Sequence, residues 1–94
     1  MRISTGTLND VISEAVTVTA PPSDKGRQLK IYYAVQFATN PPTFAIVVND
    51  PKIMHFSYQR YLENYIRKSF SLDATPIRIK IRQRGKNDRL NDKA

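Results

Sequence analysis

Apolar residues recur along this chain with two different periods, and these periods predict the order of its secondary structure. Near the N-terminus they are spaced by three and four residues: Leu8, Val11, Ile12, Ala15 and Val16. This spacing predicts an amphipathic helix ending at about Val18, with Ser4 as a candidate N-cap. The segment "TAPPSDKG", residues 19–26, is expected to end the helix, because two prolines cannot continue it and a glycine favours a turn.

A period of two follows in residues 27–39. One parity of this segment is apolar: Leu29, Ile31, Tyr33, Val35 and Phe37. The pattern predicts one strand with that parity turned to the core and the other, which includes Lys30 and Tyr32, turned to solvent. The next segment, "TFAIVVN" at residues 43–49, is apolar on both parities, so it predicts a central or covered strand. The short "TNPP" between them favours an antiparallel hairpin.

The segment "VVNDPKIMHFSYQRYLENYI", residues 47–66, contains signals for two successive helix starts. Asp50 and Pro51 suit the N-cap and first position of a short helix, and Ser57 is the candidate N-cap of a longer one. The longer helix has this predicted buried stripe: Tyr58, Tyr61, Leu62, Tyr65, Ile66 and Phe70. A last strand is predicted from Pro76, with Ile77, Ile79 and Ile81 turned inward.

The predicted order is therefore α-β-β-α(short)-α-β. Only one parity of the outer strands is apolar, so both long helices must cover the same face of a three-stranded sheet. The fold class is a two-layer α/β arrangement of the α+β kind. A length of 94 residues fits one domain, which we place at residues 1–84. We expect residues 85–94, "GKNDRLNDKA", to be a basic polar tail without order.

Enzymatic chemistry has weak support in the sequence. Asp50, His55 and Ser57 are the residue types of a hydrolytic triad, yet the aspartate and the serine stand where helices need N-caps. With one histidine and no cysteine, a usual zinc site is not expected. No segment matches the phosphate-binding pattern G-x-x-x-x-G-K-[ST]. We therefore expect no catalytic residue, metal or cofactor in this chain.

Charge points instead to an anionic partner. The net charge is +7, and residues 78–94 alone carry seven Lys/Arg and two Asp/Glu. Within them, cations occupy every second position: Arg78, Lys80, Arg82, Arg84 and Lys86. In a strand these side chains would share one face, beside the outward Lys30 and Tyr32. This face is a candidate RNA-binding surface. The alternative is a solvated face whose like charges discourage pairing with another strand.

Neither a membrane-spanning apolar run nor a signal peptide is evident, so a cytoplasmic location is expected.

Four stretches, "RISTGTLNDVI", "LKIYYAVQFATNPPTFAIVVNDP", "HFSYQRYLENYIRKSF" and "TPIRIKIR", carry a family resemblance. In this order, over about residues 2–84, they resemble the C-terminal KH-like domain of the bacterial ribosome-assembly GTPases called EngA or Der. The resemblance implies a KH-like fold, a role in maturing the large ribosomal subunit, and ribosomal RNA as a partner. It also implies that GTP and Mg²⁺ belong to preceding GTPase domains of the same chain.

One feature departs from ordinary KH domains, which hold the nucleic-acid backbone with a GXXG loop between two helices. The corresponding segment here, "IMHFSY", contains no glycine. RNA contact would therefore rely on side chains: Arg27, Lys30, Tyr32, Arg78, Lys80, Arg82, Arg84, Lys86 and the Arg60/Arg67/Lys68 side of the long helix. Alternatively, the domain packs on the GTPase domains and regulates their nucleotide state.

Overall fold

A computed structural model describes residues 2–85. Its elements are α1 (Thr5–Val18), β1 (Ser23–Asp24), β2 (Arg27–Gln28), β3 (Ile31–Thr39), β4 (Pro42–Val48), a 3-10 turn (Pro51–Ile53), α2 (Phe56–Ser69) and β5 (Arg78–Gln83). The main sheet has the order β3-β4-β5, with β4 antiparallel to β3 and parallel to β5. The predicted two-layer α+β fold is confirmed. Of the predicted tail, all but Gly85 lies outside the described residues.

One hydrophobic core lies between the two helices and one face of the sheet. Helix α1 contributes Leu8, Ile12 and Ala15, helix α2 contributes Tyr58, Leu62 and Ile66, and β4 contributes Phe44, Ile46 and Val48. The predicted helical stripes are thus confirmed, except that Val11 of the first helix does not join this core. Because all three sets belong to one cluster, the helices cover one face of the sheet and leave the other face without helices.

Two tyrosine hydroxyls of α2 tie this helix to the C-terminal end of α1. The Tyr58 hydroxyl donates to the Thr19 carbonyl oxygen at 2.7 Å, and the Tyr61 hydroxyl donates to the Ala15 carbonyl oxygen at 2.6 Å. The Thr19 carbonyl belongs to the helix C-cap, where carbonyls lack intrahelical partners, so the Tyr58 bond satisfies a group that would otherwise need water. The Ala15 carbonyl also accepts from the Thr19 amide at 3.0 Å, so the Tyr61 bond is its second. The two contacts run in opposite order along the two helices, so the helices are antiparallel.

This arrangement predicts a loss of stability at high pH. Burial, and to a lesser degree the neighbouring Tyr61, raise the pKa of Tyr58 to about 12, whereas an unfolded tyrosine titrates near pH ~10. The contribution of Tyr58 is therefore complete below pH ~10 and is lost as the pH rises towards its folded pKa. Urea unfolding between pH 9 and 12 should show this decline, and Tyr58→Phe should make it shallower. An equal decline in both proteins would contradict the assignment.

Two of the three helix N-caps predicted from the sequence are confirmed, and the third is wrong. Ser4 caps α1 by accepting from the Thr7 amide, and Asp50 caps the 3-10 turn by accepting from the Lys52 amide. The prediction that Ser57 caps the long helix is wrong. Helix α2 begins at Phe56, and its N-cap His55 makes no side-chain cap bond. The Ser57 position lies inside the first turn, where it cannot act as the cap.

A β-bulge at Tyr32 changes which residues of β3 face the core. Ile31 pairs with Val48 and Tyr33 pairs with Val47, so Tyr32 is an extra residue with no opposite partner. Because side chains alternate along a strand, one extra residue exchanges the two faces for everything that follows. A second irregularity, between Gln36 and Ala38, falls at Phe37.

The predicted inward parity of residues 27–39 is therefore only half right. Leu29 is buried and Ile31 packs against the core, as predicted. The prediction is wrong for Tyr33, Val35 and Phe37, which lie beyond the bulge and share the outer face of the sheet. Their places on the inner face are taken by Ala34 and Gln36, of which the glutamine is a buried polar residue.

The beginning of the same segment also differs from the prediction, because residues 27 and 28 do not extend β3. They form β2, which pairs with β1 in a small antiparallel hairpin that the sequence did not predict. The two residues between the paired positions, Lys25 and Gly26, have φ values of 52° and 83°. Positive φ at both positions is the requirement of a type I′ turn, the common connection of two-residue hairpins.

The free edge of β3 is occupied by the chain's own N-terminal segment. The Asn9 side chain accepts from the Ala34 amide at 2.7 Å and donates to the Ala34 carbonyl at 2.9 Å. Two residues further along, Arg2 donates to the Gln36 carbonyl at 2.9 Å, and the Gln36 side chain accepts from the Ile3 amide at 2.6 Å. The bonds from Asn9 and Arg2 satisfy backbone groups at the edge of β3, as a neighbouring strand would.

Candidate nucleic-acid interface

The outer face of the main sheet, turned away from the helices, has three distinct strips. The central strip, from β4, is small: Thr43, Ala45 and Val47. The strip from β3 is apolar and aromatic: Tyr33, Val35 and, at the two bulges, Tyr32 and Phe37. The strip from β5 is basic: Arg78, Lys80 and Arg82, paired with the central residues in order, followed by Arg84. Cations thus stand beside aromatic rings across a floor of small residues.

The basic strip, which we call the cation row, comprises Arg78, Lys80, Arg82 and Arg84. Alternate residues of a strand are about 6.6 Å apart, a spacing comparable with that of successive phosphates in an extended nucleic-acid strand. Within residues 2–85 the ion pairs are Arg27–Asp50 and Arg67–Glu63. No carboxylate in this part of the chain therefore pairs with the cation row, and its positive charge faces solvent.

Two arginines of the cation row stack on exposed aromatic rings of β3. The Arg84 guanidinium lies 4.2 Å from the centroid of the Tyr32 ring, and the Arg82 guanidinium lies 5.8 Å from the centroid of the Phe37 ring. Both distances are within the usual range of a cation–π contact. Arg82 reaches across β4 to make its contact, and it closes one side of a groove of about 390 Å³ lined by Val35, Phe37, Ala45 and Arg82.

The structure brings together five of the predicted site residues and places Arg27 apart from them. Tyr32 and the four members of the cation row share the outer face. Lys30 is exposed just before β3, where its amide donates to the Asn49 side chain at 2.9 Å. Arg27 lies in the small hairpin and pairs with Asp50 at 3.0 Å, so its charge is partly compensated. Lys86 lies outside the described residues.

Sequence reasoning missed Phe37, because the simple alternation assigned its ring to the core. One signal could have indicated it. Strand β4 is apolar on both parities, so its outer residues needed a cover from neighbouring strands. Ala45 and Val47 are only 4% and 2% exposed although neither α1 nor α2 lies on that face. Large side chains of β3 and β5, including Phe37 and Arg82, supply this cover.

The segment at the GXXG position of KH domains, residues 53–58, is built differently. Ile53 and Met54 are buried, whereas Phe56 is 71% exposed and its ring carries the Arg60 guanidinium at 5.5 Å from the centroid. The His55 carbonyl accepts from the amides of Tyr58 and Gln59 at 3.0 Å. These two amides are therefore engaged within the helix start.

Residues 2–85 contain neither a metal-binding cluster nor a membrane-spanning helix. No cluster of three His, Cys, Asp or Glu side chains is arranged to hold a metal ion in this range. Neither described helix has the length and apolar character that crossing a membrane requires.

Comparison with known proteins identifies the family. Residues 2–82 match the family model described as KH-domain-like of EngA bacterial GTPase enzymes, C-terminal. Proteins called GTPase Der are similar to this chain. The one from Caldicellulosiruptor saccharolyticus is 56% identical over 93% of this chain and 20% of its own length. The one from Leuconostoc mesenteroides is 57% identical over 88% of this chain and 19% of its own length. The chain spans about a fifth of the length of these curated relatives. It belongs to the family of C-terminal KH-like domains of the EngA (Der) bacterial GTPases.

Proposed function

We propose that this domain binds RNA through the outer face of its main sheet. The observation that carries the proposal is the cation row, which faces solvent beside exposed aromatic rings with no carboxylate partner in residues 2–85. Contacts from arginine and lysine to phosphates supply most of the affinity of nonspecific nucleic-acid binding. The role we infer is that of an RNA-binding module in a cytoplasmic GTPase that assembles the large ribosomal subunit, with ribosomal RNA as its partner.

The choice of the sheet face over the helical face follows from the GXXG position. A KH domain that uses its loop offers free backbone amides to the nucleic acid. Here the segment lacks glycine, and the amides of Tyr58, its last residue, and of the following Gln59 bond to the His55 carbonyl. The sheet face instead offers four side-chain cations at regular spacing. GTP and Mg²⁺ would be bound by the GTPase domains, since the sequence has no segment that matches the phosphate-loop pattern.

The salt dependence of binding tests this proposal. If each member of the cation row meets one phosphate of a single strand, log K should fall with log salt at a slope of about −2.8. A fluorescence anisotropy titration of a labelled single-stranded ribosomal RNA fragment, between 50 and 200 mM salt, measures the slope. A slope near zero, or no binding at 50 mM salt, would contradict the proposal.

A second candidate function uses another surface. Phe56 is 71% exposed and Val18 is 66% exposed, and both lie at the end of the helical layer where Tyr58 meets Thr19. Exposed apolar residues grouped in this way favour a protein contact. In this alternative the domain packs on the GTPase domains and regulates their nucleotide state. Adding the chain in trans to the GTPase domains of a relative, with and without Phe56→Ser, and measuring GTP hydrolysis would test it.

A further inference from the structure

We propose that the groove beside Phe37 is a stacking site for an unpaired nucleobase. This inference rests on the proposed function and deepens it, because it specifies the ligand as single-stranded RNA and assigns the contact to one ring. The family's GXXG loop plays no part in such a site. The cation row would hold the phosphates while the aromatic strip receives a base.

The bulges of β3 place the Phe37 ring on the outer face of the sheet, where it can serve as a platform for a base. Phe37 has no opposite partner on β4, so its ring is displaced from the regular ladder and is 47% exposed. Across from it, the small side chain of Ala45 lines the floor of the groove. The groove of about 390 Å³ lies at the lower end of the ~300–1,000 Å³ typical of ligand pockets. Its size and apolar floor suit one flat aromatic group.

The two arginine–aromatic contacts differ in distance, and this difference favours Phe37 over Tyr32 as the ring on which a base stacks. Arg84 lies at 4.2 Å from the Tyr32 centroid, which is a closed stack with no space for a base between the two groups. Arg82 lies at 5.8 Å from the Phe37 centroid, near the ~6 Å limit of such contacts. A modest movement of the Arg82 side chain therefore opens one face of the Phe37 ring.

Arg82 also contributes to binding once the base is in place. Its guanidinium is planar and can stack on the outer face of the base or donate to the adjacent phosphate. Either position keeps the cation within the row and next to Phe37. The groove is thus bordered by an aromatic platform on one side and by a cation suited to nucleic acid on the other.

The chemistry of the groove favours single strands over duplexes. In a duplex each base is stacked on both faces by its neighbours, so no face is available to a protein ring unless the base is extruded. Single-stranded binders combine a positive groove that follows the backbone with aromatic rings that stack the bases, and they tolerate many sequences because every base has a π-face. The outer sheet face has both features.

The chain contains no tryptophan, so Phe37→Trp places a single fluorescent reporter at the proposed site. With a single-stranded RNA fragment as the probe, we expect the variant to keep its affinity and its emission to be quenched. A duplex of the same sequence should leave the emission nearly unchanged. Val18→Trp, at an exposed position on α1, is the matched control and should respond to neither RNA.

Phe37→Ala removes the ring and tests whether affinity for RNA is lost with it. We expect its affinity for the single strand to fall about 5- to 150-fold, the range implied by removing one base–aromatic stack. The salt slope should stay unchanged because no phosphate contact is lost. Thermal unfolding of Phe37→Ala checks that the fold is intact.

The outcomes separate the two proposals. RNA binding with a steep salt slope but with no effect of Phe37→Ala and no quenching would overturn the stacking site and leave the proposed function standing. Absence of RNA binding in the unaltered chain would overturn both. If Phe37→Ala weakens association with the GTPase domains of a relative and leaves RNA affinity unchanged, the groove is a protein contact and the stacking proposal is wrong.

Discussion

Replacing Arg78, Lys80 and Arg84 together by glutamine is expected to lower the affinity for single-stranded RNA about 100-fold at 0.1 M salt. Each phosphate contact with a single strand contributes roughly 0.7 to the salt slope, so three lost contacts reduce its magnitude by about 2. The affinities of the variant and the unaltered chain therefore diverge by about 100-fold as the salt concentration falls tenfold, from 1 M to 0.1 M. Arg82 is kept so that the Phe37 groove is unaltered. Anisotropy titrations at several salt concentrations give both quantities.

A matched variant on the helical side controls for net charge. Lys52→Gln, Arg60→Gln and Lys68→Gln remove the same number of charges from exposed positions outside the outer sheet face. If binding depends on the cation row, this variant should lose far less affinity than the first and keep most of its salt slope. Equal losses in the two variants would show that RNA affinity follows the total charge or also uses the Arg60/Arg67/Lys68 side of α2, and the proposed interface would then be wrong.

Replacing Phe44 by alanine should lower the free energy of unfolding by about 3–5 kcal/mol, the range for removing a buried phenylalanine. Its side chain is fully buried in the central strand and belongs to the cluster that joins both helices to the sheet. The whole free energy of unfolding of a small domain is about 5–15 kcal/mol, so this one change removes a large fraction of it. Urea unfolding followed by circular dichroism measures the difference.

Phe37→Ala is the natural control, since it makes the same chemical change on the same sheet. Phe37 is 47% exposed on the outer face, so its removal should cost about 1 kcal/mol or less. The comparison also tests the bulge. If both variants were equally destabilised, Phe37 would belong to the core, as simple alternation along the strand predicts.

The order of the secondary-structure elements could be predicted because the spacing of apolar residues and the residues that begin or end elements agree over most of the chain. The spacing of apolar residues in both helices matches the buried stripes that form. Strand β5 pairs with β4 without irregularity, so its cations Arg78, Lys80 and Arg82 share one face, as predicted for this part of the row. Ser4 and Asp50 cap their helices because a short polar side chain there can accept from an orphan amide.

The orientation of β3 could not be predicted, because nothing local marks the bulge at Tyr32. The segment "IYYAVQF" has no glycine or proline, and both of its parities contain residues that suit a strand. Tertiary contacts determine which side chains of β3 face the core. Ala34 faces the helices because α1 packs closely against β3, and the inward Gln36 finds a partner in the distant Ile3 amide.

The same limit applies to the candidate site. Its basic half follows from sequence spacing, whereas its aromatic half depends on two irregularities of backbone pairing. The position of Arg27 is also a tertiary effect, since its partner Asp50 is 23 residues away in sequence. Family resemblance indicated the KH-like fold and the missing GXXG loop, yet neither of these locates the ring of Phe37.

The bonds that Asn9 and Arg2 make to β3 have a consequence for how copies of this domain can associate. Growth of a sheet into a fibre needs two available edges on every copy, one to receive a neighbour and one to offer to the next. At Ala34 and Gln36 the β3 edge is already bonded to the chain's own N-terminal segment. Association through the edges of the main sheet would therefore have to use β5, and two copies joined there would have no free main-sheet edge left within residues 2–85. Such pairing closes at a dimer.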